Sequence, residues 1–125
     1  MRIKFIVNTD PHPQFRPYTL DYDPENEPEY IKAYKEEIRK SAKVVMGNSP
    51  PTSKPVGIYV AVCRTKDPND RYFGDIDNHL KIIFDTLKGI CYTDDRLIRG
   101  VKSFKYYGKN PHIEIAVTDQ FERRR

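Results

Sequence analysis

Acidic residues gather at both ends of one short stretch, GDIDNHLKIIFDTLKGICYTDD, running from Gly74 to Asp95. Asp75 and Asp77 open it with Asn78 beside them, Asp94 and Asp95 close it, and Lys81 and Asp85 follow Asp77 at steps of four residues. Taken singly, each group has an ordinary explanation. Asp and Asn at a helix start satisfy free backbone N–H groups and suit the positive end of the helix dipole. An Asp-Asp pair suits a turn before a strand. One acid explains a cap, and two acids plus an amide exceed that need. Taken together, converging carboxylates repel by roughly 4 kcal/mol at about 4 Å and an effective dielectric near 20. Either protonation with raised pKa values or a divalent cation must then offset the repulsion. All-oxygen donors suit a hard ion, Mg²⁺ or Mn²⁺, rather than zinc.

The spacing predicts a helix from about Ile76 to Lys88, with Leu80, Ile83, Phe84 and Leu87 as its buried stripe and Gly89 as a left-handed stop. Such a helix spans roughly 20 Å. The two acidic groups therefore meet only if the Gly89–Thr93 connection turns the chain back along the sheet. Lys81 shares a helical face with Asp77, continued by Asp85 and Lys88. It reads equally as a surface ion pair and as a cation placed to stabilise phosphate charge. His79, beside the acids, reads as a packed or solvent-facing side chain before a ligand. An EF-hand starting at Asp67 is rejected, because its sixth and twelfth positions hold Tyr72 and Asn78 instead of Gly and Glu.

The elements that must position these residues follow from hydrophobic periodicity. RIKFIVN (2–8) reads as a strand with Ile3, Phe5 and Val7 inward. Residues 8–28 form a long loop, broken by Pro11, Pro13, Pro17, Pro24 and Pro28. Glu29–Met46 reads as a helix with the stripe Ile31, Tyr34, Ile38, Ala42 and Val45. Val56–Arg64 is apolar on both faces and hence a central strand. Asp95–Gly108 is strand-like with a bulge or bend at Gly100. His112–Asp119 alternates with Ile113, Ile115 and Val117 inward, and residues 120–125 make a basic tail. The order β-α-β-α-β-β points to an α+β fold, a small mixed sheet with both helices on one face. The turn Lys109-Asn110-Pro111 would join the last two strands as a hairpin.

A chain of 125 residues suits one domain over 1–125. Its Tyr and Phe content argues against disorder, and no apolar run approaches a membrane span or a signal peptide. Cys63 and Cys91 match no zinc or redox spacing and read as buried free thiols of a cytoplasmic protein. A net charge of +4 surrounds the local aspartates, which permits a nucleic-acid partner without demanding one.

GDIDNHLKIIFDTL (74–87) followed by YTDDRLI (92–98) resembles the RusA family of Holliday-junction endodeoxyribonucleases. The family's pattern is Asp-x-Asp-Asn-x-x-Lys, a helix ending in Phe-Asp-x-Leu, then Asp-Asp opening a strand, and the order of elements fits nearly the whole chain. The resemblance implies a homodimer that resolves four-way junction DNA with Mg²⁺, leaving paired symmetric nicks, in a cell or an integrated phage. It implies Asp75, Asp77 and Asp95 as metal ligands, Lys81 as the catalytic lysine, and Asn78, Asp94 and Asp85 as supporting groups. Family members can carry several arginines before the first Asp, whereas this chain has Arg71 alone. Arg71, Lys66 and Arg96 are then candidates for backbone contact, alongside Arg99, Lys102, Lys105 and Arg123 to Arg125. Tyr72 and Phe73 are candidates for stacking on bases or packing under their loop. Other readings of the same residues are a metal-dependent nuclease without junction specificity and a non-catalytic DNA-binding protein.

Overall fold

The computed structural model describes residues 1–13, 27–65 and 75–120. The elements are β1 (Arg2–Val7), α1 (Glu29–Met46), β2 (Val56–Thr65), α2 (Ile76–Leu87), a 3-10 turn (Asp95–Leu97), β3 (Ile98–Gly108) and β4 (His112–Thr118). They build an α+β fold whose mixed sheet has the order β1-β4-β2-β3. β2 runs parallel to β3, while β4 lies antiparallel to both β1 and β2. Most of the proline-rich loop and of the tail falls outside the described residues.

Two rows of inward side chains show how the core is assembled. Phe5, Ile115 and Val60 stand side by side across three strands, as do Val7, Ile113 and Val62, and all six are buried. Against them pack Ile31, Tyr34, Ile38, Ala42 and Met46 of α1 and Ile82, Ile83 and Leu87 of α2. Each fully buried aliphatic side chain of this kind contributes about 1.5–3 kcal/mol. Met46, one residue beyond the expected stripe, is buried in place of Val45, which is exposed at the last turn of α1.

β3 and β4 do not form a hairpin. The 109–111 turn instead carries the chain past the end of β2, so that β4 pairs on the far side. Burial decides between these arrangements. β4 supplies an unbroken alternation of Ile113, Ile115 and Val117 and takes an interior place. β3 presents Ser103 and Lys105 in register with the inward Val60 and Val62, and takes the edge. The expected bulge is present. Val56 pairs with Ile98 and Gly57 with Gly100, leaving Arg99 as the extra residue.

After α2 the chain reverses within five residues. Gly89 adopts φ 85°, a left-handed conformation that L side chains disfavour. Its N–H donates to the Tyr92 carbonyl at 2.7 Å. The Tyr92 ring is fully buried, and its hydroxyl donates to the Phe84 carbonyl at 2.7 Å, a second hydrogen bond on an oxygen that also accepts from Lys88 N–H at 3.2 Å. Thr52 fixes the far side, donating its N–H to the Cys91 carbonyl and accepting from Thr93 N–H at 3.1 and 3.0 Å. Cys63 and Cys91 are both free and buried.

Gly89→Ala is expected to destabilise the protein by about 1–2 kcal/mol in urea unfolding, the cost of a left-handed non-glycine residue. Tyr92→Phe should cost about 1 kcal/mol through the lost hydroxyl hydrogen bond, although the Phe84 carbonyl keeps its bond from Lys88 N–H. Unchanged stability in Tyr92→Phe would show that the hydroxyl does not pin the reversal.

Candidate active site

The helix α2 has two opposed faces. His79, Ile82, Ile83, Thr86 and Leu87 point into the core, with the buried Thr86 hydroxyl donating back to the Ile82 carbonyl at 2.6 Å. His79 is a packed core side chain. Asp77, Leu80, Lys81, Phe84 and Asp85 fall on the other side by helical spacing. Leu80 and Phe84, expected in the buried stripe, pack against the core from its edge and are half-buried instead of enclosed.

That outer face is met by the chain returning from the reversal. Asp77, Leu80, Lys81, Phe84, Asp85 and Asp95 line one pocket of about 320 Å³. Three carboxylates and one ammonium thus surround a hollow whose walls include an aliphatic and an aromatic side chain. All four charged groups are exposed, so water and salt screen their interaction. The Tyr92 phenol is held neutral first by burial, then by Cys91 and by the carboxylates of Asp95 and Asp85.

The remaining acids separate into two kinds. Asp75 stands at the N-cap of α2, yet its side chain makes no capping hydrogen bond and is exposed. Capping therefore does not account for it. Asn78 is half-buried in the first turn, donating its N–H to the Asp75 carbonyl at 3.2 Å. Asp94 caps the 3-10 turn, accepting from the Arg96 backbone N–H at 2.9 Å and from its guanidinium at 3.1 and 3.3 Å. The Arg96 N–H, followed by its side chain, pulls the Asp94 carboxyl down to about 2. Of the Asp pair, then, Asp95 faces the pocket and Asp94 shapes the turn beneath it.

Among the described residues, no three His, Cys, Asp or Glu side chains form a group that could hold a metal ion. Asp77 and Asp95 share the pocket, while Asp75 is not among its lining residues. Lys66, Arg71, Tyr72 and Phe73 lie outside the described residues. Sequence reading alone did not find the pocket walls Leu80 and Phe84. Their place on the acid-bearing face, three and seven residues after Asp77, is the signal that could have found them.

The family model described as Endodeoxyribonuclease RusA matches residues 9–118, most of the chain. No curated protein matches.

Carboxyl-detected NMR is expected to show Asp94 titrating near pH 2, with Arg96→Ala returning it toward the ordinary carboxylate range. Because the folded value lies below the unfolded one, the stabilisation from this group is complete above about pH 4. It is lost as pH falls through 2. An Asp94 that titrates near 4 in the native protein would contradict the capping role.

Proposed function

The chain belongs to the RusA endodeoxyribonuclease family, and from that premise we propose that its Asp77–Lys81–Asp95 pocket is the cutting site for four-way junction DNA. The observation that carries this reading is that α2 and the segment after the reversal contribute acids and a lysine to one exposed pocket. A scissile phosphate needs positive charge where negative charge builds, and a group to position water. Lys81 would supply an ammonium beside the phosphate. Asp85, one helical turn on and lining the same pocket, is placed to support that ammonium. Leu80 and Phe84 give a wall that limits water on the sugar side.

We assign Asp75, Asp77 and Asp95 to a divalent cation, Mg²⁺ with Mn²⁺ as a substitute. The donor chemistry fits: the pocket's potential ligands are carboxylate oxygens, with no thiol or imidazole among its lining residues. Asp75 adds an exposed carboxylate not committed to capping. The full ligand set is not gathered among the described residues, so holding one ion with all three carboxylates would require Asp75 to approach Asp77 and Asp95. When bound, the cation supplies charge neutralisation at the phosphate and a lowered pKa for water. A homodimer would present one such pocket to each of two opposed strands, matching the two-fold symmetry of a four-way junction.

Single-turnover assays on a synthetic four-way junction test this reading. Asp95→Asn and Asp75→Asn are each expected to lower cleavage by at least about 10³-fold, and Lys81→Ala by about 10²-fold. Junction affinity measured without divalent metal should change less than about threefold in the asparagine variants, since no cation is lost from the surface. Cleavage within a few-fold of the parent protein in Asp95→Asn would refute the assignment. Equal cleavage of junction, duplex and single strands would refute the junction preference.

A further inference from the structure

The face of the sheet opposite the helices is left open among the described residues, and its side chains are not those of an ordinary solvated sheet. Strand register places Lys4, Ala116, Tyr59 and Lys102 side by side in one row across all four strands. The next row holds Arg2, Thr118, Gly57 and Gly100. Between the two rows lies a hollow of about 630 Å³. Its floor is backbone and small side chains with one aromatic ring, and its two rims are cationic. The rims stand three strand spacings apart, about 14 Å. Arg2, Lys4 and Lys102 are exposed and form no ion pair among the described residues. Tyr59 packs against Phe104 with ring centroids 6.2 Å apart, and Phe104 is half exposed.

We propose that this hollow binds a single strand of DNA, a second nucleic-acid contact separate from the cutting pocket. Cations on both rims would hold the sugar-phosphate backbone, while Tyr59 and Phe104 offer bases a stacking surface. Charge chooses this occupant over a second copy of the chain. A two-fold pairing would lay the cationic rows against each other or against the following row, Ile6, Glu114, Ala61 and Phe104, which carries one acid. The position is also apt. Gly100 follows Asp95 by only five residues, so the hollow and the pocket lie at the same end of β3. The bulged Arg99, exposed between them, adds a further cation on the way.

The proposal rests on DNA being the substrate, and its test is built to fail separately from the cutting assignment. Binding of a labelled oligothymidylate is followed by fluorescence anisotropy without divalent metal, across a salt series. Lys4→Glu/Lys102→Glu is compared with Lys40→Glu/Lys43→Glu, which makes the same change of charge on exposed positions of α1. The first is expected to weaken binding at least tenfold and to flatten the log–log salt slope by about 1.4, two contacts at about 0.7 each. The second should change affinity less than threefold. Lys4→Gln/Lys102→Gln should fall between them and guards against misfolding of the charge-reversed protein. Equal effects of the two glutamate pairs would overturn the proposal. So would sedimentation showing that the Lys4/Lys102 changes dissociate a dimer formed by the parent protein. A parent protein that binds the oligonucleotide through this face but cuts no junction would refute the cutting pocket and leave this surface standing.

Discussion

The site depends on a reversal of the chain, held by the buried Tyr92 phenol on one side and by Thr52 on the other. Tyr92 reaches back under the end of α2, where its hydroxyl adds a second hydrogen bond to the Phe84 carbonyl, and Gly89 supplies the left-handed backbone the turn requires. Without that closure, acids about 20 residues apart in sequence would sit at opposite ends of a helix roughly 18 Å long. With it, Asp95 arrives beside Asp77 and Lys81. Positioning is thus done by neutral groups at the base of the loop. The charged side chains remain exposed and available to a ligand.

The division of labour on α2 follows from the same constraint. A helix that packs one face into the core and leaves the other uncovered normally solvates the second face. Here the outer face keeps Leu80 and Phe84 among its charges, half-buried where they pack on the edge of the core and line the pocket. The acid pair that follows is split by geometry. Asp94 spends its oxygens on Arg96 and is held far below the ordinary carboxylate range, whereas Asp95 opens onto the pocket. Two adjacent, identical side chains acquire different roles because one lies at the N-cap of a single 3-10 turn and the other at its first position.

Much of this was legible in the sequence where a pattern is local. The bounds of α1, the alternation of β4, the left-handed Gly89 and the bulge before Gly100 each follow from spacing or from a residue with few conformational choices. The strand order was not, because Lys109-Asn110-Pro111 signals a turn without saying which neighbour the next strand will find. That choice belongs to the sheet as a whole, which places Ile113, Ile115 and Val117 inside and Ser103 and Lys105 at the edge. Leu80 and Phe84 were only half legible for a related reason: apolar residues three and four apart can pack on a core and also wall a pocket, and only the neighbouring chain segment shows the second role. The convergence of Asp77 and Asp95 was a conditional reading, since it needed a reversal whose pinning residue, Tyr92, carries no signature of that role.

The central claim is that Asp77 and Asp95 act as one unit. A double-mutant cycle on single-turnover junction cleavage measures this most directly, using Asp77→Asn, Asp95→Asn and the double variant. Residues that serve one site are strongly non-additive. The account predicts that the double variant loses about as much rate as the worse single variant. Losses that multiply, as for two independent sites, would contradict it.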